Sequence, residues 1–403
     1  MEKYVLKDLI SVKRGMSLSG EYYSTEGDLI RLTLGNFQEE GGFKINTSKD
    51  DLYFTGPVKD EFILAEGDII TPLTEQVVGL LGATARIPES GKYIQSGDVA
   101  LIKCISDKID DGYCYYLISS DVVRKQLSAA AQQTKIRHTS PEKIMDCEVF
   151  IPEVKEQRKV AKLLDGINKK IELNNKINDN LHHAASDIFD YYFLQYDFPD
   201  HTGNPYRSNN GSFVYCETLK REIPSGFKVC CVDDFCNIFT GKKDVNQSFD
   251  SGKYRFYSCA PSYKYSNDKL YEGPAILISG NGSYTGRTIY VDTAFDLYQR
   301  TYACTNKDNT DRDMLIYLYY SLLRFLVPQI SGGTHGSAIP YIVRDDIAKL
   351  PILYNNEAVS LFIKRVKPLL ADITRIEEEN ITLTKLRNNL LPLLMSGQAT
   401  IAD

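Results

Sequence analysis

The stretch IPEVKEQRKVAKLLDGINKKIELNNKINDN, residues 151–180, carries the pattern that decides the architecture. From Val160 the positions step by sevens through Ile167, Asn174, Leu181 and Ile188, and Leu164, Ile171, Asn178 and Ala185 follow four residues after successive members. That spacing places both sets on one stripe of an α-helix and predicts a coiled-coil seam. A second run repeats the device: Val359, Val366, Ile373 and Asn380 step by sevens, with Phe362, Leu369, Ile376, Leu383 and Leu390 three residues after each and continuing. The expected packing positions are thus Val160, Leu164, Ile167, Asn174 and Leu181 on one helix, and Val366, Leu369, Ile373, Asn380 and Leu383 on the other. Asn174 and Asn380 stand at core-type positions, where a polar group fixes register and partner number at a cost in stability, unless each faces solvent at a stutter. Roughly 40 residues of helix span about 60 Å, so the expected order is domain, long helix, domain, long helix, with the helices holding the domains apart.

The chain also repeats itself, which constrains architecture before any motif does. LKDLISVKRG (6–15) lies over VDDFCNIFTG (232–241) at an offset of 226, with Gly15 meeting Gly241. Both read as an amphipathic, helical start followed by a turn. LGATARIPESGKYIQSGDVAL (81–101) lies over TGRTIYVDTAFDLYQRTYACT (285–305) at 204, so that Gly82 meets Gly286 and Gln95 meets Gln299. Tyr115-Tyr116 falls over Tyr319-Tyr320, and at 203 Ile136 falls over Ile339 and Ile144 over Ile347.

Composition bounds the possibilities. The chain has 403 residues, a hydrophobic fraction of 43% and 27 tyrosines, which suits two folded domains rather than a disordered chain. Its start, MEKYVLKDLI, lacks the basic opening and apolar run of a signal peptide. The most apolar segment, DMLIYLYYSLLRFLV (313–327), is short and contains Arg324, so it reads as a core helix rather than a membrane span. Nine scattered cysteines without a CxxC pair or histidines at ligand spacing predict reduced thiols and no metal, in a cytoplasmic protein.

DFPDHTGNPYRSNNGSFVYCETLKREIPSGF (197–227) follows the first helix. It resembles the inter-repeat linker of the specificity subunits of type I restriction-modification systems, in its Gly-x-Pro-Tyr, its Gly, and its Arg-Glu-Ile-Pro-x-Gly followed by an aromatic. That aromatic is usually Trp; here it is Phe227. IPEVKEQRKVAKLLDGI (151–167) is similar to the Pro-rich Glu-Gln opening of the family's first repeat helix, whereas LPILYNNEAVSLF in the second copy lacks the Glu-Gln pair. The resemblance implies an α/β (α+β) fold with two target-recognition domains, each reading half of a split DNA sequence, and two long antiparallel helices as a ruler between them. The boundaries expected are 1–152 and 228–352 for the domains, 153–195 and 353–403 for the spacer helices, and 196–227 for the linker. Implied partners are double-stranded DNA, two methyltransferase subunits and restriction subunits. The chain itself would be non-catalytic and without a cofactor, S-adenosylmethionine being bound by the methyltransferase.

Asn204-Pro205-Tyr206 is one proline short of the Asn-Pro-Pro-Tyr signature of DNA amino-methyltransferases, but its Gly, Asn, Ser and Pro neighbours read as turns rather than a strand feeding a cofactor sheet. SGNGSYTG (279–286) matches no phosphate or cofactor fingerprint.

DNA reading asks for cations on phosphates and hydrogen-bonding side chains on base edges. In the first domain the candidates are Lys13 and Arg14 after the opening helical pattern, Thr74 and Gln76 in the 71–82 loop, and Gln133, Lys135, Arg137 and His138. In the second they are Lys242 and Lys243 after Gly241, Asn281, Ser283, Tyr284 and Arg287 in the Gly-rich loop, and Thr334 and His335. Equivalent loops that differ in detail predict an asymmetric target. A net charge of -6 predicts weak, salt-sensitive binding without partners. Two other classes stay open: a coiled-coil protein–protein adaptor without DNA binding, which fits the seams but not the linker, and a self-sufficient methyltransferase or nuclease, for which no complete motif is present.

Overall fold

The computed structural model describes residues 1–38, 41–47, 49–75, 79–130, 137–308, 310–331 and 341–401. Seven α-helices lie among them: α1 (Asp111–Ile118), α2 (Asp121–Ala130), α3 (Pro141–Met145), α4 (Val154–Phe193), α5 (Met314–Ser331), α6 (Arg344–Ala348) and α7 (Asn356–Met395). The chain divides into two compact units, Met1–Asn174 with Glu378–Asp403, and Asn175–Glu377, so each long helix contributes to both.

In the first unit, Glu2–Val5 pairs antiparallel with Glu148–Ile151, the strand that delivers the chain into α4. The opening is not helical, contrary to the pattern read in 6–15: Leu6–Asp8 is a single 3-10 turn and Ile10–Arg14 is a strand. Buried Ile10 and Val12 alternate with exposed Ser11 and Lys13, the two-residue period of a half-buried strand. That strand begins an antiparallel sheet in the order Ile10–Arg14, Val99–Cys104, Ile69–Pro72, Ala85–Arg86. Leu6, Leu9, Ile10 and Ile102 share one core with Tyr113 and Leu117 of α1, Leu164 of α4 and Leu394 of α7. A further sheet of short strands, Tyr23–Ser24, Tyr53–Phe54, Ile30–Arg31 and Tyr93–Ile94, adjoins a separate cluster around Leu32, Phe37 and Ile87.

The second unit repeats the plan. Lys228–Cys231 pairs antiparallel with Pro351–Tyr354, which leads into α7. Its sheet has six strands, in the order Cys236–Thr240, Thr301–Asn306, Tyr271–Ser279, Thr288–Leu297, Tyr254–Tyr257, Lys264–Ser266. The apolar run expected to be a core helix is α5, with Leu315, Leu318, Leu322 and Leu326 fully buried, while Arg324 reaches Asp190 at 3.1 Å.

The ladders measure the repeat directly. Arg14 faces Ala100 and Thr240 faces Tyr302, which keeps the offset of 226 for the first strand but gives 202, not 204, for its partner. Arg86 faces Ile69 and Tyr290 faces Ile276, so 204 holds there and two residues are lost in the turn that follows. Gln95 is therefore not the equivalent of Gln299: Gln95 donates to the carbonyls of Lys13 and Val99, Gln299 to the Asp244 carboxylate. Gly15 and Gly241 are equivalent for a physical reason. A Cβ on Gly15 would lie 2.3 Å from the Ser96 carbonyl oxygen, and one on Gly241 would lie 1.8 Å from that of Leu297. Position 136 and position 339 lie outside the described residues.

Within the first unit the helical seam buries Val160, Leu164 and Ile167, and Asn174 is 1% exposed. The Asn174 amide donates to Asn380 Oδ1 at 2.8 Å and to Glu379 Oε2 at 2.9 Å, which satisfies a polar group inside an apolar stripe; Leu383 is half-buried. In the second unit Val366 and Ile373 are buried and Leu181 is half-buried. Leu370 takes the buried place expected for Leu369, which is half-buried, because a straight helix drifts against a seven-residue repeat. No helix among the described residues is long and apolar enough to cross a membrane.

Candidate nucleic-acid interface

One end of each sheet gathers the candidate reading residues. In the first unit the strand Ile10–Arg14 stops at Gly15, and the Leu73 N–H donates to the Asp98 carbonyl at 2.8 Å. In the second, Cys236–Thr240 stops at Gly241 and the Gly280 N–H donates to the Arg300 carbonyl at 3.0 Å. Beyond these contacts Thr74 pairs with His138 in a two-strand ladder, and Asn281 pairs with Tyr341 in an isolated bridge at the corresponding place. Arg14, Thr74, Arg137 and His138 therefore meet at one end of the first unit, and Lys242, Lys243, Asn281, Ser283, Tyr284 and Arg287 at the corresponding end of the second. Gln76, Gln133, Lys135, Thr334 and His335 lie outside the described residues.

Which of these side chains are free for a ligand is decided by their partners. Thr74 is buried, whereas His138 is exposed. Lys13 is held by Glu61 and stacks over Phe62. Arg137 binds Glu75 at 3.1 Å and the Ser128 carbonyl at 2.8 Å. Lys243 bonds Asp296 at 2.7 Å and Asp268 at 2.9 Å. Its ammonium pKa rises above the ordinary value, chiefly through the Asp296 hydrogen bond and against its own desolvation. Arg287 donates to the Pro261 carbonyl at 3.0 Å. Arg14 and Lys242 are exposed with no ion pair or hydrogen bond to their side chains among the described residues, although the Arg14 charge helps lower the Glu142 pKa behind hydrogen bonds to Ser140 and the backbone. Ser283 and Tyr284 are exposed. Asn281 Oδ1 accepts from the Cys259 thiol at 3.2 Å, which orients its amide.

Two residues at this end escaped sequence reading. Tyr341, 39% exposed, was within reach of it, since the offset of 203 that aligns Ile144 with Ile347 also puts His138 on Tyr341. Arg300 is exposed beside Gly280, but its equivalent in the first unit is Asp98, so no repeat comparison points to it.

The Asn204-Pro205-Tyr206 segment is built as a turn. Tyr206 stacks on Phe198 at 4.8 Å and donates to the Ser212 carbonyl at 2.7 Å, and Phe198 packs on Phe227 at 5.1 Å. Phe227 thus fills the place where the resembling linker has tryptophan. Among the described residues no group of three His, Cys, Asp or Glu side chains is placed to hold a metal ion.

Comparison with known proteins agrees with this geometry. The chain is 24% identical over 318 residues to the Type I restriction enzyme MjaIX specificity subunit of Methanocaldococcus jannaschii, spanning 74% of this chain and 71% of that one. It is 30% identical over 192 residues to the Type I restriction enzyme EcoDI specificity subunit of Escherichia coli, spanning 44% of this chain and 40% of that one. Among solved structures, the S subunit of a type I restriction-modification system from M. genitalium shares the fold, with a TM-score of 0.59 over 98% of this chain and 96% of that one at 15% identity. Residues 1–183 and 224–358 each match the family described as Type I restriction modification DNA specificity domain, one match on each copy of the repeat, and the chain belongs to that family.

Proposed function

We propose that the chain is the DNA sequence-recognition subunit of a type I restriction-modification enzyme, reading a bipartite, asymmetric target and directing partner methyltransferase and restriction subunits to it. In this reading 1–152 and 228–352 are the target-recognition domains, 153–195 and 353–403 the spacer helices and 196–227 the linker. The observation that carries it is a scaffold kept while its tips diverge. Gly15 and Gly241, and the Leu73–Asp98 and Gly280–Arg300 contacts, recur in both units. Yet the tip pair is Thr74 with His138 in one and Asn281 with Tyr341 in the other. Base edges are read by the pattern of donors and acceptors, so unlike tips on one scaffold suit two unlike half-sites.

Arg14, Lys242 and Arg300 take phosphates, while His138, Asn281, Ser283 and Tyr284 face base edges. With Lys13, Arg137 and Lys243 already paired at the tips and a net charge of -6, the chain alone binds double-stranded DNA weakly and with steep salt dependence. Two methyltransferase subunits supply S-adenosylmethionine and the chemistry, restriction subunits join them, and the complex works in the cytoplasm. The chain itself contributes no catalytic group. The test is to co-express the chain with its cognate methyltransferase, weigh the complex and map methylated adenines by single-molecule sequencing. Two methyltransferases per chain and a split asymmetric motif are expected, with one half lost when residues 279–286 are exchanged. No complex and no motif would sink the reading.

A further inference from the structure

Glu75 is a carboxylate in an unusual place. It lies in the two-strand ladder at the tip of the first unit, is 2% exposed, and accepts the backbone N–H groups of Gly79, Leu80 and Leu81 on Oε2 at 3.0, 2.8 and 3.0 Å. Its Oε1 lies 3.1 Å from Arg137. Arg137 in turn donates to the carbonyl and hydroxyl of Ser128 on α2, at 2.8 and 3.0 Å. Hydrogen bonds to a charged acceptor are the strong ones, and a buried carboxylate stripped of its partners is costly. The clamp therefore ties Gly79, Leu80 and Leu81 to the ladder and to α2.

The second unit solves the same problem without a charge. Gly282 stands at the ladder-equivalent position, one residue after Asn281 as Glu75 follows Thr74. Its loop closes on its own backbone: the Gly286 N–H donates to the Ser279 carbonyl at 2.9 Å and the Arg287 N–H to that of Tyr284 at 3.0 Å. The anion in the first unit is thus not a requirement of the scaffold but belongs to that loop.

We propose that Glu75, held by Arg137, is the positioning residue that sets the base specificity of the first unit by tying residues 79–81 to the Thr74–His138 pair. This rests on the DNA-recognition reading and deepens it. Glu75 touches no base; it and Arg137 stand next to Thr74 and His138 in the ladder and hold that pair so that the exposed His138 meets base edges at hydrogen-bonding distance, where errors of about half an ångström matter. Arg137 is spent on the clamp and neutralises it, so this cation fixes the loop instead of binding phosphate.

Two variants test it in the methyltransferase complex, by complex mass and by the methylated motif. Glu75→Gln keeps the size but turns an acceptor oxygen into an NH2 group that faces N–H donors. Gly79→Ala disturbs the same loop independently: Gly79 has φ +118°, and nothing lies within 4 Å of an added Cβ, so the change strains the backbone without crowding it. In both variants discrimination is expected to fall about tenfold or more in one half of the motif only, with the other half, the gap and the complex mass unchanged. Should Glu75→Gln fail to assemble, Gly79→Ala decides alone. An unchanged motif overturns the proposal, as does methylation that falls evenly at every site, the sign of a merely structural clamp. An unaltered chain that directs no split motif overturns the DNA-reading conclusion itself, which that control separates from failure of the clamp.

Discussion

At the paired tyrosines where each domain core meets its long helices, the two units differ in chemistry. In the first, the Tyr116 hydroxyl donates to Asp165 at 2.6 Å, Arg86 binds the same carboxylate at 2.8 Å, Asn168 donates to the Tyr116 oxygen at 2.9 Å, and Arg387 donates to Asn168 at 3.2 Å. Arg86 also lies 4.4 Å above the Tyr115 ring. In the second, the equivalent Tyr319-Tyr320 pair keeps its edge-on packing, 5.0 Å against 4.9 Å. Among the described residues the hydrogen bonds and ion pair of the first joint do not recur. Tyr290 replaces Arg86 against Tyr319 at 6.0 Å, and Tyr320 packs among Phe189 and Phe362 with its hydroxyl unbonded among the described residues. A repeat can thus keep strand register and ring positions while exchanging an ionic joint for an aromatic one. The ionic joint depends on geometry and salt, the aromatic one on buried area.

The comparison breaks most visibly at Phe362. It is fully buried, with Phe189, Tyr192, Phe193, Tyr317 and Tyr320 ring centroids 5.5–6.3 Å away. Phe362→Ala is expected to cost about 3–5 kcal/mol in urea unfolding; a loss under about 1 kcal/mol would mean the joint does not depend on ring packing. Gln157 comes next. It is fully buried, accepts the Asp110 N–H at 2.8 Å and donates to the carbonyls of Lys108 and Pro152, both at 2.8 Å. Its counterpart at the repeat offset of 203 is Ser360, which lines a cavity of about 670 Å³ beside Phe235 and Tyr354. Gln157→Ala should cost about 1–3 kcal/mol, because it leaves backbone groups unpaired, and Ser360→Ala no more than about 0.5 kcal/mol. Equal losses would erase the asymmetry. Asp165→Asn should cost about 1 kcal/mol at low salt and less at high salt, since the Asp165 and Arg86 side chains are 27% and 34% exposed. A loss independent of salt would assign the joint to hydrogen-bond shape rather than charge.

The sequence carries the long helices clearly, because a pattern sustained over five or more turns has no other reading. The repeat is legible through Gly15 and Gly241, whose backbones leave no room for a side chain. The strand Ile10–Arg14 was misread because five residues cannot separate a two-residue period from a helical one. The drift from 204 to 202 hides in a turn, where residues are lost without disturbing the ladders on either side. Least legible is which cations are free. Lys13 finds Glu61, Arg137 finds Glu75 and Lys243 finds Asp296 across 48 or more residues of chain, and only the fold brings such partners together. The Glu-Gln opening of the first helix was visible by resemblance, but the reason for its glutamine is the backbone it bonds.

The smallest effect lies in the linker, at the surface carboxyl of Asp200. Its Oδ1 accepts the Thr202 hydroxyl at 2.6 Å and the N–H groups of Thr202 and Asn204 at 2.8 and 3.0 Å. These bonds, the Thr202 hydroxyl first, hold its pKa down at about 2, against desolvation. A carboxyl whose folded pKa is depressed adds stability that is complete above its unfolded value near 4 and disappears as pH falls through about 2. The turn it closes leads into Tyr206, stacked on Phe198, so acid between those limits should alter the near-ultraviolet dichroism of that stack. Because Asp200 lies at the surface, the change should stay local. In Asp200→Asn it should be absent, the turn being weakened at every pH. The ring contacts around Phe362 involve no carboxylate, although the Arg324–Asp190 and Lys367–Asp313 pairs flank them, so the ring packing should pass through the same window unaltered. Cooperative loss of the whole second unit there, unchanged by Asp200→Asn, would assign the acid response to the flanking Arg324–Asp190 or Lys367–Asp313 pair and make the aromatic joint less unlike the ionic one than its rings suggest.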